Sequence, residues 1–347
     1  MAKVAVIVPV YNVEKYIKES LVALMCQSLA DIEIICVDDC GNDKSMDIVQ
    51  QLAKTDKRIK IIKNKQNSGL SVARNNGLAH TDAPYVMFCD SDDFFAPNMC
   101  EVMYSEMEKT GAELGIFGFE VVYEANFDKK DSDDKYFAVN HNGCVPISQQ
   151  LQDTQAVCAC GKIYRRSIIE EHDLTFPQGL RHEDEFWFPA YCSWVKNIVF
   201  VQERFYKYRR RAGSIMNNVF QKKAIHLDMI YIAIELFKYL KTHDKLEEKY
   251  NWFWGTKFFD MLGAALSYSG TKNSAAVYRV AHKFINENCD ICKLDWRAQR
   301  KVQIMRNKTV HARRILGGVI RIKESENKKT VLFCGLPIWK QNFAEHK

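Results

Sequence analysis

The sequence contains no apolar run close to the roughly 18–20 residues that a helical membrane span needs. It shows no internal repeat and no low-complexity tract. Its first residues, Met1 to Pro9, hold one lysine, a short apolar run and then proline. That is not a signal-peptide layout, so a cytoplasmic location is expected. Glycine is missing from Val8-Pro9-Val10-Tyr11-Asn12, which follows the first strand signal. A nicotinamide dehydrogenase would want G-x-G-x-x-G there, and a nucleotidyltransferase its glycine-rich first loop. Cys289-x-x-Cys292 has no second pair at zinc spacing, and Cys158-x-Cys160 is spaced wrongly and lies far away. The 12 cysteines therefore read as reduced, semi-apolar residues, several within apolar runs, such as Cys36 and Cys89.

What is present is ordinary globular composition: 347 residues, 47% hydrophobic and 27% charged, enough for one large domain or two smaller ones. The net charge of +6 is unevenly spread. Residues 296–347 hold 13 Lys/Arg against 3 Asp/Glu, whereas the rest of the chain is slightly acidic.

Strand and helix signals alternate over the first hundred residues. Val4–Val8, ended by Pro9, Ile32–Val37, Ile59–Ile62 and Tyr85–Cys89 read as strands. Val13–Gln27, Ser45–Ala53 and Leu70–Ala79 read as helices. This alternation predicts an α/β fold with a mainly parallel sheet and right-handed crossovers. Beyond residue 110 the pattern weakens to a strand over Leu114–Val122, a charged loop over Phe127–Lys135, a strand-like Lys162–Tyr164 and a helix start at Ser167–His172. Gln221–Leu240 and Tyr250–Tyr268 follow as amphipathic helices that extend or dimerise the domain, with core packing the plainer account of their aromatic stripes.

Polar clusters follow three of the strands: Pro9–Asn12, Asp38–Asp43 and Asp90–Asp93. Ligands of open parallel sheets bind beyond the carboxyl ends of the strands, so these clusters define a site. In Asp90-Ser91-Asp92, two carboxylates one residue apart can share a small volume with a cation between them. Mg²⁺ or Mn²⁺ would take their oxygens and keep positions for diphosphate; a solvated turn is the alternative. The acid pair Asp38-Asp39 demands partners after a buried strand, and Asn42 or Asp43 could cap the next helix. Asn67–Gly77 places a glycine turn before a helix bearing Arg74. Helix N-termini and arginine both favour diphosphate.

These four motifs, in this order, resemble the family 2 glycosyltransferases over roughly residues 3–100. The chain departs from the family at Cys40, where glycine is usual. The resemblance continues at Glu183-Asp184 and at Lys207-Tyr208-Arg209-Arg210-Arg211. It implies a GT-A nucleotide-sugar-binding fold, followed by a helical, basic C-terminal region. Residues 1–110 would form the nucleotide-sugar half, 111–220 the acceptor half with the catalytic base, and 221–347 the helical extension. It further implies an inverting, metal-dependent transfer, with Mn²⁺ or Mg²⁺, from a nucleotide diphosphate sugar, a UDP-sugar by expectation. The acceptor would be a glycan or lipid-linked glycan of a bacterial surface polymer. Asp184 would be the base, with Glu183 as its fallback. Asp92 would be the principal metal ligand and Asp90 would contact ribose or metal-bound water. Pro9 and Tyr11 would line the nucleotide site, Tyr11 stacking on the base and Asp38 accepting its N–H. Arg74 would lie near base or diphosphate, and Arg209 and Arg211 near the diphosphate. The rival from another class is a non-catalytic glycan- or membrane-binding protein on a transferase fold.

In the tail, Arg297, Arg300, Lys301, Arg306, Lys308, Arg313 and Arg314 interleave with Val302, Ile304, Met305, Ile315, Leu316, Val319 and Ile320. A peripheral contact with an anionic membrane on the inner face is one reading, and a helix face that closes the domain is another. Nucleic acid is not expected, because no nucleic-acid-binding module accompanies the stretch.

Overall fold

The structure, a computed structural model, describes residues 1–124, 139–149, 155–211, 227–306, 320–325, 328–333 and 336–342. The expected charged loop over Phe127–Lys135 lies outside them. The chain divides into two units: Met1–Gly179 with Trp187–Arg211, and Leu180–Phe186 with Ala212–Lys347.

The first unit is built on a nine-stranded sheet in the order β3-β2-β1-β4-β8-β6-β9-β5, with β7 also pairing with β9. Strands β1 (Val4–Val10), β2 (Ile32–Asp38), β3 (Ile59–Lys63) and β4 (Tyr85–Phe88) are parallel to one another. All residues of β1, β2 and β4 are buried, which explains why they read as continuous apolar runs rather than as an alternation. Helices α1 (Ile17–Met25), α2 (Ser45–Thr55) and α3 (Leu70–Leu78) are their crossovers. A Cβ on Gly77 of α3 would meet Ile7 of β1 at 2.5 Å, so glycine is what lets α3 lie close on the sheet.

Beyond β4 the sheet becomes mixed. Strand β8 (Lys162–Arg165) is antiparallel to both β4 and β6 (Leu114–Tyr123), and β6 is parallel to β9 (Asn197–Arg210). Strands β5 (Phe94–Phe95) and β7 (Gly143–Pro146) are antiparallel to β9. The expected α/β architecture with a large, mostly parallel central sheet is present. Pro9 does not end β1 as expected; the strand runs on to Val10. Pairing with β4 stops at Ile7, so Pro9 faces a side where no ladder needs its missing N–H. Under the strand ends, Phe176 stacks on Trp187 at 4.0 Å, and Phe88 meets both rings edge-on.

Between Leu227 and Arg306 the described residues of the second unit are mainly helical. After α4 (Met99–Thr110), α5 (Arg166–Glu171) and α6 (Asp184–Cys192) come α7 (Leu227–Thr242) and α8 (Leu246–Trp252). A π-helical turn, Phe253–Lys257, joins α8 to the long α9 (Phe258–Asn288), and α10 (Trp296–Arg306) follows. Met229, Ile232 and Leu236 of α7 are buried, so its apolar stripe is core. Among the described residues no helix is long and apolar enough to cross a membrane.

In α10 the tail fits the domain-closing reading, and beyond α10 it departs from the expected helix. Val302 and Met305 of α10 are fully buried, while Lys301 donates to the Gly255 carbonyl and Arg306 to those of Ile285 and Cys289. Val302 and Met305 therefore pack into their own unit, while Trp296 at the start of α10 is 67% exposed. Further on, β10 (Ile320–Ser325), β11 (Lys328–Phe333) and β12 (Leu336–Asn342) form an antiparallel meander where helix was expected. The alternation Ile320-Arg321-Ile322-Lys323 has the two-residue period of a strand, not the helical one. Lys308, Arg313, Arg314, Ile315, Leu316 and Val319 lie outside the described residues.

Candidate active site

The carboxyl ends of β1, β2 and β4 carry the three polar clusters. After β1, Pro9 is buried within the strand and Tyr11 is 47% exposed at its end. Asn12 takes a left-handed conformation with φ 52°, and its Oδ1 accepts the Asn42 N–H at 2.9 Å. A Cβ on Gly41 would fall 2.8 Å from that Oδ1, so the two loops touch only because residue 41 is glycine.

After β2 the two acids divide their work. Asp38 accepts the Cys40 N–H at 2.9 Å, closing a turn in which Cys40 has φ 58°. This is the position where the family usually has glycine, and the left-handed backbone explains why. Asp39 accepts from Asn64 Nδ2 at 2.7 Å and from the backbone N–H groups of Ser68 and Gly69, each at 2.9 Å. The amides at the start of α3 are thus held by Asp39. Gly69 is the N-cap of α3, so Asp39 fixes the turn that leads into the helix, and the first-turn N–H groups of Leu70, Ser71 and Val72 are not among its partners. Asp43 accepts from Glu14 N and from both N and Oγ of Ser45, the capping role considered for it.

After β4 comes the acidic turn. The Arg74 guanidinium, buried above the rings of Phe88 and Phe176, holds Asp90 Oδ1 at 2.9 Å. Asp92 Oδ2 lies 2.6 Å from Arg211 Nε. Burial, followed by the Asp90 charge, raises the Asp92 pKa, and Arg211 opposes this. Asp93 is buried, and its pKa is pushed well above the usual carboxylate range, by burial first and then by Asp92 and Asp90. It accepts the Arg209 backbone N–H at 2.7 Å and a hydrogen bond from Tyr206, whose hydroxyl oxygen accepts the Asp90 N–H at 3.2 Å. These bonds stitch the turn to β9.

The two arginines differ in commitment. Arg209 donates from Nε to the Asp92 carbonyl at 2.9 Å and pairs with Glu19 at 2.6 Å, its guanidinium between the Tyr16 and Phe94 rings. Arg211 lies over Tyr16, whose hydroxyl donates to Glu124 at 2.7 Å. Arg209 is tied into the scaffold, whereas Arg211 faces the acidic turn with its side chain.

Glu183 and Asp184 belong to the second unit. Glu183 is buried, and Asp184 is half-buried at the first position of α6. His182 before them has φ 64°, and burial lowers its pKa against the pull of Glu185, Asp184 and Asp228. Arg181 N donates to Asp228 at 3.3 Å and Glu185 pairs with Lys257, so the segment is held on both sides of the acids.

Asp90 and Asp92 fit a hard divalent cation: two nearby carboxylates, one of them half-buried, whose mutual repulsion a cation would relieve. Among the described residues no cluster of three or more His, Cys, Asp or Glu forms a metal cage, so a cation there would need oxygens from outside the protein. Sequence reasoning missed Asp39, Asn64, Asp93 and Tyr206. The demand that paired acids after a buried strand be satisfied pointed to Asp39. Nothing local marked Tyr206, which is more than a hundred residues from the turn it supports.

Comparisons with known proteins identify the family and the fold. The family model of Glycosyl transferase family 2 matches residues 5–173. EpsH of Bacillus subtilis is 33% identical over 250 residues, which is 71% of each chain. The glycosyltransferase GlyG of Streptococcus pneumoniae is 28% identical over 229 residues, 62% of this chain and 74% of that protein. The poly(ribitol-phosphate) beta-glucosyltransferase of Bacillus spizizenii is 30% identical over 234 residues, 62% of this chain but 33% of that larger protein. Staphylococcus aureus TarS 1–349, solved with UDP-GlcNAc, shares the fold with a TM-score of 0.58, covering 99% of this chain and all of that one at 20% identity. The fold and these relatives define a glycosyltransferase. The chain belongs to glycosyltransferase family 2.

Proposed function

We propose that the protein moves a hexosyl or N-acetylhexosaminyl group, with inversion, from a UDP-sugar to a hydroxyl of a surface-glycan or lipid-linked glycan acceptor. The observation that carries this reading is the Asp90–Asp92 turn, paired with Arg74 and Arg211 at the carboxyl ends of a parallel sheet. The relatives' names, among them a poly(ribitol-phosphate) glucosyltransferase, and the UDP-GlcNAc complex of TarS support the substrate class.

Transfer with inversion makes two demands. The acceptor oxygen must lose its proton as it attacks the anomeric carbon, and charge building on the diphosphate must be stabilised. Asp184 takes the proton; Glu183, buried beside it, orients the segment. Tyr11, exposed at the end of β1, offers a stacking face for the base, and Asp38 an acceptor for its N–H. Arg211 supplies positive charge to the diphosphate, and Arg74 acts through Asp90 rather than on the donor. Mn²⁺ or Mg²⁺, held by Asp92 and Asp90, would neutralise the leaving diphosphate.

The test is a nucleotide-sugar panel scored for hydrolysis and transfer, with Mn²⁺ and with chelator. Asp184→Asn should keep donor affinity and lose transfer by roughly 10²-fold or more, and Glu183→Gln should lose less. Full activity in chelator removes the metal role. Near wild-type transfer by Asp184→Asn, with Glu183→Gln dead, moves the base to Glu183.

A further inference from the structure

The second unit holds a cleft that the transfer chemistry does not use. Helix α7 presents Ile234, Phe237, Lys238 and Lys241, spaced i, i+3, i+4 and i+7. Helix α9 answers with Val280, Lys283, Phe284 and Glu287 at the same spacing. Two helical faces therefore line one groove of about 490 Å³, within the size range of small-ligand sites. Its floor is apolar: Phe237 and Phe284 meet edge to face at 5.2 Å and are buried. Its rim is cationic, with Lys238 and Lys241 on one side and Lys283 on the other, all exposed. Lys238 pairs with Glu235, and Lys283 with Glu287 at 3.9 Å. Both pairs are exposed and weak. Among the described residues no carboxylate pairs with Lys241.

We infer that this groove binds the phosphate headgroup of an anionic lipid, with the start of its acyl chain on the Phe237–Phe284 floor. The argument is charge complementarity joined to burial. A free inorganic anion would leave the apolar floor to water, and a neutral chain would leave Lys241 without a counter-charge and Lys238 and Lys283 with only their weak, exposed partners. An anionic amphiphile satisfies both, because lysine stems lie along apolar surface while their ammonium groups reach outward. The inference is independent of which sugar is transferred, or whether any is.

Dodecyl phosphate, kept below its micellar concentration, should bind the full chain one to one by calorimetry. The charge-reversed pair Lys241→Glu/Lys283→Glu should weaken it by at least about 10-fold, given the attraction of each surface lysine for anionic lipid. The milder Lys241→Gln/Lys283→Gln, which keeps the stems, should weaken it in the same direction if the reversed pair fails to fold. Inorganic phosphate should not compete at equal concentration, and dodecyl maltoside should bind far less. Retention on phosphatidylglycerol vesicles, against phosphatidylcholine, should fall in the same variants. Equal competition by inorganic phosphate would make this a free-anion site and overturn the lipid assignment. Equal binding of the maltoside, or unchanged binding by both lysine variants, would overturn it as well.

Discussion

Arg74 and Asp90 meet at 2.9 Å across a steep gradient of exposure, with the guanidinium side chain 2% exposed and the carboxylate 36%. The pair transmits the packing of α3 on the sheet to the acidic turn after β4. A double-mutant cycle of Arg74→Met and Asp90→Ala should give a coupling of about 1 kcal/mol, kept modest by the solvent at Asp90. Additive losses in urea unfolding would show that the two are neighbours without being partners. Arg74→Met should also weaken Mn²⁺-dependent UDP binding by several-fold, although the side chain is buried away from solvent.

Arg211 stands on Asp92, where a cation would stand. In nucleotide-free protein, Arg211→Gln should therefore bind Mn²⁺ more tightly, by roughly 3–10-fold, the scale of one partly exposed ion pair. Free Mn²⁺ measured by electron paramagnetic resonance reads this directly. Weaker binding would mean that Arg211 holds the turn in shape rather than competing for it.

Asp93 gives a pH dependence of definite sign. Its raised pKa means that the folded protein binds more protons than the unfolded chain between the ordinary carboxylate range, about 3.9, and that higher value. The stability linked to Asp93 is present below this window and is lost as pH rises through it. Asp93→Asn keeps an acceptor for Arg209 N and Tyr206, so it should gain on wild type as pH rises from about 4 to 7. Urea midpoints over that range, in metal-free buffer, measure the difference. A gap that narrows with rising pH would contradict the burial of a charged Asp93.

Cys40 holds a left-handed backbone, φ 58°, that glycine would adopt without strain. Cys40→Gly should stabilise by roughly 0.5–1 kcal/mol, the relief of a left-handed β-carbon less the extra freedom of unfolded glycine. Gly41→Ala next to it should destabilise by about 1–3 kcal/mol, because the added carbon meets Asn12. Thermal melts of both variants, moving in opposite directions, check the turn.

What the sequence by itself determined was everything written in short periods. The runs Val4–Val8, Ile32–Val37 and Tyr85–Cys89, broken by helical spacing, dictated parallel strands with crossovers. The polar clusters after them marked the sheet edge where the candidate site lies. Tertiary structure alone decided how those side chains are spent. Asp39 and Arg74 look like ligand donors in one dimension, yet one holds the start of α3 and the other lies beneath Asp90. Tyr206 had no local signal, and nothing near Asp93 showed its bond to the Arg209 N–H, because these bonds join segments more than a hundred residues apart. The basic, interleaved pattern of α10 left membrane contact and packing both open, and only the packing buries Val302 and Met305. Local pattern records which face of an element is apolar, and only packing records what that face meets.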